Sequence, residues 1–262
     1  MDNEINRIEI NGIDNIKRLK TIVDAGGDIV FFGGAGVSTE SGIPDFRSAS
    51  GLYLLPSNGT KEDALAGCRP EELLHIHCLS DNPDLFFKYY FAHMLHPEAR
   101  PNAAHTALAR LEQCGRLKAV VTQNIDGLHQ AAGSENVIEL HGSVHRNHCL
   151  GCGRVYTLAE IWDARPTPPR CADCGAMVRP DVVLYGEMLP EAAMDTAVRY
   201  ISQADILIVG GTSLSVYPAA GLIRHFNKTR LVLINRDETP YDKAAELVIR
   251  DQIGEILGQI SG

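Results

Sequence analysis

Four short apolar runs, at 28–32, 117–121, 206–209 and 231–234, set the fold. Each is rich in Val, Ile, Leu or Phe and lacks the polar alternation of a strand with one wet face, so each reads as a strand buried on both sides. Patterns of helical spacing lie before, between or after them, over 13–25, 103–114, 191–203 and 216–227. Strand and helix in alternation build a parallel sheet with helices on both faces. Two stretches break the alternation. Residues 48–100 are punctuated by Gly51, Pro56, Gly59, Pro70 and Pro83, and residues 144–180 hold a proline-rich spacer, Arg165-Pro166-Thr167-Pro168-Pro169-Arg170. The expected fold class is α/β: a Rossmann-like parallel sheet from 1–47, 101–143 and 181–262, plus a small zinc-binding module formed by two insertions, 48–100 and 144–180.

Zinc enters through four cysteines in two pairs, Cys149-x-x-Cys152 and Cys171-x-x-Cys174, with 18 residues between the pairs. Each pair can present two thiolates from one turn, and two such turns can close a tetrahedral Zn²⁺ site. Four thiolates fill the coordination sphere, so the expected role is structural. A disulfide pair or a redox C-x-x-C fits poorly, because nothing else in the chain looks secreted and neither pair has a thioredoxin-like surrounding. His145 and His148 stand near Cys149 but are not needed as ligands. His75, His77 and Cys78 lack a fourth partner and read as a solvated helix face.

The first apolar run enters Gly33-Gly34-Ala35-Gly36-Val37-Ser38 directly. A glycine-rich turn after a buried strand lets backbone N–H groups approach a pyrophosphate, although the third glycine of G-x-G-x-x-G is missing. Polar clusters at other strand ends strengthen the reading: Thr122-Gln123-Asn124-Ile125-Asp126, Gly210-Gly211-Thr212-Ser213 and Asn235-Arg236-Asp237. In open α/β sheets ligands bind at the carboxyl ends of strands, so these clusters converge on one crevice for a dinucleotide. Bulk composition excludes some classes. A net charge of −9 argues against general phosphate attraction to nucleic acid, and no apolar run reaches the length of a membrane span. The first residues lack a basic and an apolar region, so no secretory leader is expected, and a cytoplasmic protein is.

Taken together, Gly34–Ser38 through Gly42-Ile43-Pro44-Asp45-Phe46-Arg47, Thr122–Asp126, His141-Gly142-Ser143, both cysteine pairs, Gly186-Glu187, Gly211-Thr212-Ser213 and Asn235 resemble the sirtuin family, in its compact bacterial and archaeal form. The resemblance implies an NAD-dependent protein-lysine deacetylase that consumes NAD. In that reaction the acyl oxygen of a modified lysine attacks C1′ of the nicotinamide ribose and nicotinamide leaves. His141 would be the general base assisting a ribose hydroxyl, with Asn124 beside it. Ala35, Gly36, Thr39, Thr212, Ser213 and Asn235 would hold the adenosine and phosphates. Phe46 and Arg47 would cover the nicotinamide ribose and pyrophosphate. Gln123, Asn124, Ile125 and Asp126 would form the nicotinamide pocket, and Asp45, Gly211 and Arg236 complete the cofactor set. A backbone contact to adenine falls among Asp251, Gln252 and Ile253. Asp126, buried, should have hydrogen-bond partners even without ligand.

By the same resemblance an acylated lysine segment would lie between 181–187 and 213–217, touching Val183, Tyr185, Gly186, Glu187 and Val216. The chain departs from the family in carrying Tyr185 where Phe is common. It has Tyr89 and Ala92 where members acting on acidic acyl groups pair Tyr with Arg, which implies neutral acyl groups such as acetyl. The 53–82 stretch is longer than a minimal member needs. A monomer is expected, with no nucleic acid or membrane partner. A protein mono-ADP-ribosyltransferase using the same NAD site is the alternative, and non-enzymatic NAD sensing a third reading.

Overall fold

The computed structural model describes residues 14–45, Gly51 and 68–260. In chain order the elements are α1 (14–24), β1 (Ile29–Gly33), α2 (Pro70–Leu73), α3 (Ile76–Asp81), α4 (Pro83–His93), α5 (Ala103–Gln113), β2 (Leu117–Thr122), α6 (Leu128–Ala131), β3 (Val137–Glu139), β4 (Gly142–Cys149), β5 (Val155–Thr157), α7 (Leu158–Trp162), β6 (Val178–Val182), α8 (Glu191–Gln203), β7 (Ile206–Gly210), β8 (Arg230–Ile234), β9 (Leu247–Ile249) and α9 (Ile253–Gly258). Six of the strands make a parallel sheet in the order β3-β2-β1-β7-β8-β9. The chain moves outward from β1 in one direction and from β7 in the other. The order therefore reverses beside β1, and that reversal opens a crevice at the strands' carboxyl ends.

Period-two alternation sorts the strand side chains between the two faces. Ile29 and Phe31 pack with α1, α5 and α9. Val30 and Phe32 pack with α8 and with a 3-10 helix at Ala219–His225. Phe31 and Phe32 are fully buried, each stabilising the sheet by about 1.5–3 kcal/mol relative to exposure. Helix α5 starts where Asn102 accepts from Ala104 N–H, the cap that its side-chain carbonyl is suited to make.

The four expected strands are all present, and the structure adds β3 and β9 at the two edges. One helix differs from expectation. The 216–227 pattern forms only the 3-10 segment that follows Pro218, with Gly221 inside it, a residue that weakens an α-helix interior. The second module is more ordered than a pair of cysteine turns. Strands β5-β4-β6 form an antiparallel sheet, and α4 buries Phe86, Phe87, Tyr89, Tyr90 and Phe91 in a separate core with it.

Candidate active site and metal centre

A cavity of about 710 Å³ opens at the crevice. On one side is the glycine turn. Gly36 N–H donates to Gly211 O at 2.8 Å, and a Cβ on Gly36 would lie 2.8 Å from Gly211 Cα. Only glycine permits the turns after β1 and β7 to cross this closely, and the crossing leaves a backbone cradle of the kind a pyrophosphate takes.

Next to it the loop after β2 is knitted to the glycine turn. Ser38, itself buried, donates from Oγ to Asp126 Oδ2 at 2.7 Å, and Asn124 Nδ2 donates to Ser38 Oγ at 3.0 Å. Asp126 Oδ1 accepts from Leu128 N–H at 2.9 Å, so the carboxylate has the partners its burial calls for. Gln123 Nε2 reaches Thr212 Oγ1 at 3.1 Å, joining this loop to the turn after β7. His145, which sequence reasoning passed over, donates from Nε2 to Asp126 O at 2.9 Å and packs on Gly127.

His141 sits where the parallel sheet gives way to the small one, between β3 and β4. Its Nδ1 lies 2.8 Å from Gln123 O. A carbonyl can only accept, so Nδ1 carries the proton and Nε2 is left as the basic nitrogen. Burial lowers its pKa below the usual 6.5, against a smaller upward pull from that carbonyl, and the ring is neutral at pH 7. A neutral imidazole with one nitrogen anchored is the form a general base requires.

The far lip of the cavity is the chain after β6. Val183 N–H donates to His141 O at 2.9 Å. Tyr185 N–H donates to Leu74 O, and Ile76 N–H donates to Tyr185 O, so this lip pairs with the helical part of the small module. His75 is drawn into that junction, its ring against Gly186 and stacked on His77 at 4.8 Å. It is thus a packing residue where a solvated face was expected. Glu187 points inward: Arg179 holds both carboxylate oxygens at 2.8 and 2.9 Å, and Leu184 N–H donates to the same group at 2.9 Å. Arg179 first, and that backbone bond with it, keep the Glu187 carboxyl below its ordinary range despite partial burial. Nothing in the spacing of Arg179 and Glu187 announced the pair.

Of the residues singled out from sequence, Ala35, Gly36, Thr39, Asp45, Gln123, Asn124, Ile125, Asp126, His141, Gly211, Thr212, Ser213, Asn235 and Arg236 line this one cavity, as do Val183, Tyr185, Gly186, Glu187 and Val216. Asp251, Gln252 and Ile253 line it too. Phe46 and Arg47 lie outside the described residues.

The four paired cysteines meet at the end of β4. Their sulfurs all lie within 4.8 Å of one another, with Cys149–Cys174 at 3.4 Å and Cys152–Cys171 at 3.6 Å. Tetrahedral zinc–thiolate geometry separates ligand sulfurs by ~3.8 Å, so the residues present fit the ion. Gly151 N–H faces Cys149 Sγ at 3.3 Å and Tyr156 donates to Cys171 Sγ at 3.1 Å, outer contacts that orient thiolate ligands. Among the described residues no other such cluster of His, Cys, Asp and Glu occurs, and His145 and His148 stay outside it.

Comparison with known proteins agrees with this geometry. The family model described as "Sir2 family" matches residues 34–218. An NAD-dependent protein deacetylase of Clostridium acetobutylicum is 52% identical over 245 residues, covering 94% of this chain and 97% of the relative. One from Cutibacterium acnes is 57% identical over 232 residues, covering 88% and 91%. Among solved structures, a Sir2–p53 peptide–NAD+ complex superposes with a TM-score of 0.78 at 37% identity, covering 94% of this chain and 96% of the other. Sir2 bound to acetylated peptide does so at 0.78 and 34%, with the same coverage. The chain belongs to the Sir2 family, the sirtuins.

Proposed function

We propose that this chain is an NAD-dependent protein-lysine deacetylase, which moves the acyl group of a modified lysine onto ADP-ribose and releases nicotinamide. The observation that carries the reading is one cavity holding three things at once: a glycine cradle, a half-buried neutral histidine anchored through Nδ1, and the 183–187 lip held against that histidine by the bond from Val183 N–H to His141 O. NAD, when bound, supplies the electrophilic ribose carbon and the leaving nicotinamide.

The chain's own residues do the rest. The loop 123–126 receives the carboxamide end; Asn124 and Asp126 are held ready by Ser38, so no side chain has to be recruited at the moment of reaction. His141 accepts a proton at Nε2 while Gln123 O fixes the ring through Nδ1, and the resulting imidazolium is stabilised by that same carbonyl. Ala35, Gly36, Thr39, Thr212, Ser213 and Asn235 hold the adenosine and phosphate part, with Asp45, Gly211 and Arg236 completing the cofactor set; the roles of Phe46 and Arg47 toward the nicotinamide ribose and pyrophosphate rest on the family resemblance alone. Val183, Tyr185, Gly186 and Val216 meet the acyl-lysine segment, which adds as a strand between the two lips. Glu187 serves that segment indirectly, by shaping the lip.

Ile125, Val144, Leu158, Tyr90, His93 and Met94 give the cavity a largely apolar stretch of lining. Burial, and secondarily His96, lower the His93 pKa, so among the described residues this set offers no cation to an acidic acyl group and suits acetyl. The same proposal has the enzyme cytoplasmic and monomeric, acting on proteins without nucleic acid; the acidic balance of −9 supports the last of these. No helix among the described residues is long and apolar enough to cross a membrane. Incubation with NAD and an acetyl-lysine peptide, followed by mass spectrometry, tests the reading. Nicotinamide, free-lysine peptide and O-acetyl-ADP-ribose are expected together; ADP-ribose on protein with the acetyl group untouched would overturn it.

A further inference from the structure

The glycine turn and the segment 251–253 line the same cavity from opposite ends of the chain. One side chain ties them together. Glu40, in the 3-10 turn Thr39–Ser41, accepts from Gly254 N–H at 2.8 Å across 214 residues of sequence. The fit is close: a Cβ on Gly254 would lie 2.3 Å from Glu40 Oε2 and 2.9 Å from its Cδ.

On electrostatic grounds the carboxylate is out of place. Glu40 lines a cavity that receives an anionic pyrophosphate, and a like charge nearby weakens binding. A hydrogen bond from a backbone amide to an ionised acceptor is among the stronger ones a protein makes, and it can offset that repulsion only if the contact it makes matters to the site. What it makes is the join between the phosphate cradle and the first turn of α9, whose leading residues complete the cavity wall. Ile253 is packed equally tightly on the end of β7: a Cβ on Gly210 would lie 2.1 Å from Ile253 Cδ1. The segment is thus fixed to the sheet by packing and to the glycine turn by Glu40.

We propose that Glu40 is a positioning residue for the cofactor, pinning the adenosine end of the site (251–253) to the phosphate cradle so that both are assembled before NAD enters. The proposal rests on the NAD reading above and deepens it. Glu40 touches no reacting atom; it acts through Gly254.

The test uses the full chain and four variants: Glu40→Ala, Glu40→Gln, Gly254→Ala and the double variant Glu40→Ala/Gly254→Ala. Calorimetry gives the affinity for ADP-ribose, steady-state assays give kcat and KM for NAD, and nicotinamide inhibition probes the other end of the pocket. Losing one charge-assisted hydrogen bond should weaken ADP-ribose binding and raise KM for NAD about five- to tenfold. Turnover number and nicotinamide inhibition should stay within about twofold, the pattern of binding lost equally from ground and transition states. Gly254→Ala should match Glu40→Ala, because the new methyl drives the carboxylate off the amide, while alanine itself suits a helix. The double variant should be no worse than either single one, since each breaks the same bond. Glu40→Gln, which keeps an acceptor, should recover most of the loss.

Wild-type affinity in Glu40→Ala, or multiplied losses in the double variant, would overturn the proposal. Failure of the wild-type protein to bind ADP-ribose at all would instead overturn the cofactor reading beneath it. Melting curves check that the variants fold; if Glu40→Ala does not, Gly254→Ala and Glu40→Gln carry the same test.

Discussion

Acid should destabilise this protein well above the range where carboxylates titrate, through two histidines behind the nicotinamide loop. His105 on α5 and His129 on α6 are fully buried, with ring centroids 4.7 Å apart. His105 Nδ1 accepts from Asn102 N–H at 3.3 Å, while His105 Nε2 and both His129 nitrogens have no hydrogen-bond partner among the described residues. Burial pushes His105 down to about 4, partly opposed by Asp126, and burial together with the charge of His105 pushes His129 down to about 3. In the unfolded chain both take up a proton below 6.5, the ordinary value; in the folded chain they refuse it until about 4 and about 3. Between those limits the unfolded state binds more protons, so stability is full above 6.5 and falls as pH falls. At about pH 5 the solution is roughly 1.5 units below the unfolded value of each ring, while both folded rings stay neutral, which costs about 2 kcal/mol per ring and about 4 kcal/mol for the pair. For a chain of this size that lowers Tm by roughly 8–16 °C between about pH 7.5 and pH 5. His129→Gln removes one titrating ring, so thermal melts followed by circular dichroism should show about half of that drop disappear. His93 and His141, also depressed, titrate in both proteins and cancel in the difference. If wild type and variant lose the same Tm over this range, the rings are not the acid-labile element and the argument fails.

Replacing His141 by alanine should leave ADP-ribose binding intact while slowing turnover about 10²–10⁴-fold, as seen by calorimetry beside a product assay. Because burial lowers the His141 pKa, the acid limb of kcat/KM in the wild-type enzyme should fall below the ordinary histidine value of 6.5; a limb above it would contradict the assigned base. Stripping zinc with a chelator should unfold the small module, visible as lost antiparallel β signal and new protease sensitivity, since structural sites contribute folding energy directly. Glu187→Gln should raise KM for an acetyl-lysine peptide several-fold with kcat nearly unchanged, because it loosens the Arg179 clamp and touches no reacting atom. Acetyl-lysine peptide should be turned over faster than succinyl-lysine peptide, and the reverse order in a competition assay would refute the apolar reading of that cavity lining.

What the sequence made legible was what short-range chemistry controls. The β1 run and the glycines after it announce themselves because a doubly buried strand must be apolar and a phosphate cradle must lack side chains. The cysteine pairs announce themselves because zinc geometry fixes ligand spacing. The remainder depends on contacts distant in sequence. Tyr185 meets Leu74 and Ile76 through backbone groups alone, which every residue carries, so no residue type betrays that junction. Glu40 and Gly254 are invisible as a pair because the donor is a backbone N–H 214 residues away. Strand β9 is three residues long and pairs only with β8, too short for its periodicity to stand out. The 216–227 pattern is apolar in the right places for a helix, yet with Gly221 inside it the chain forms a 3-10 segment.

The position of His141 explains why a deacetylase needs the small module at all. Its ring is fixed from the sheet side by Gln123 O, and its carbonyl holds Val183 N–H on the substrate side. One residue thereby joins the loop proposed to receive nicotinamide to the lip proposed to receive acyl-lysine. The lip cannot hold its shape alone: Tyr185 leans on Leu74 and Ile76, and Glu187 on Arg179 within β6. Strand β6 in turn pairs with β4, whose last residue is the zinc-ligand candidate Cys149. Zinc held by the four cysteines would therefore support the lip through the β4–β6 pairing, while the cofactor half rests on the parallel sheet and on the link between Glu40 and Gly254. The proposed base stands where these two supports meet, beside the bonds that Val144 and His145 make to the same loop. Loss of zinc should for that reason impair peptide binding before it impairs NAD binding.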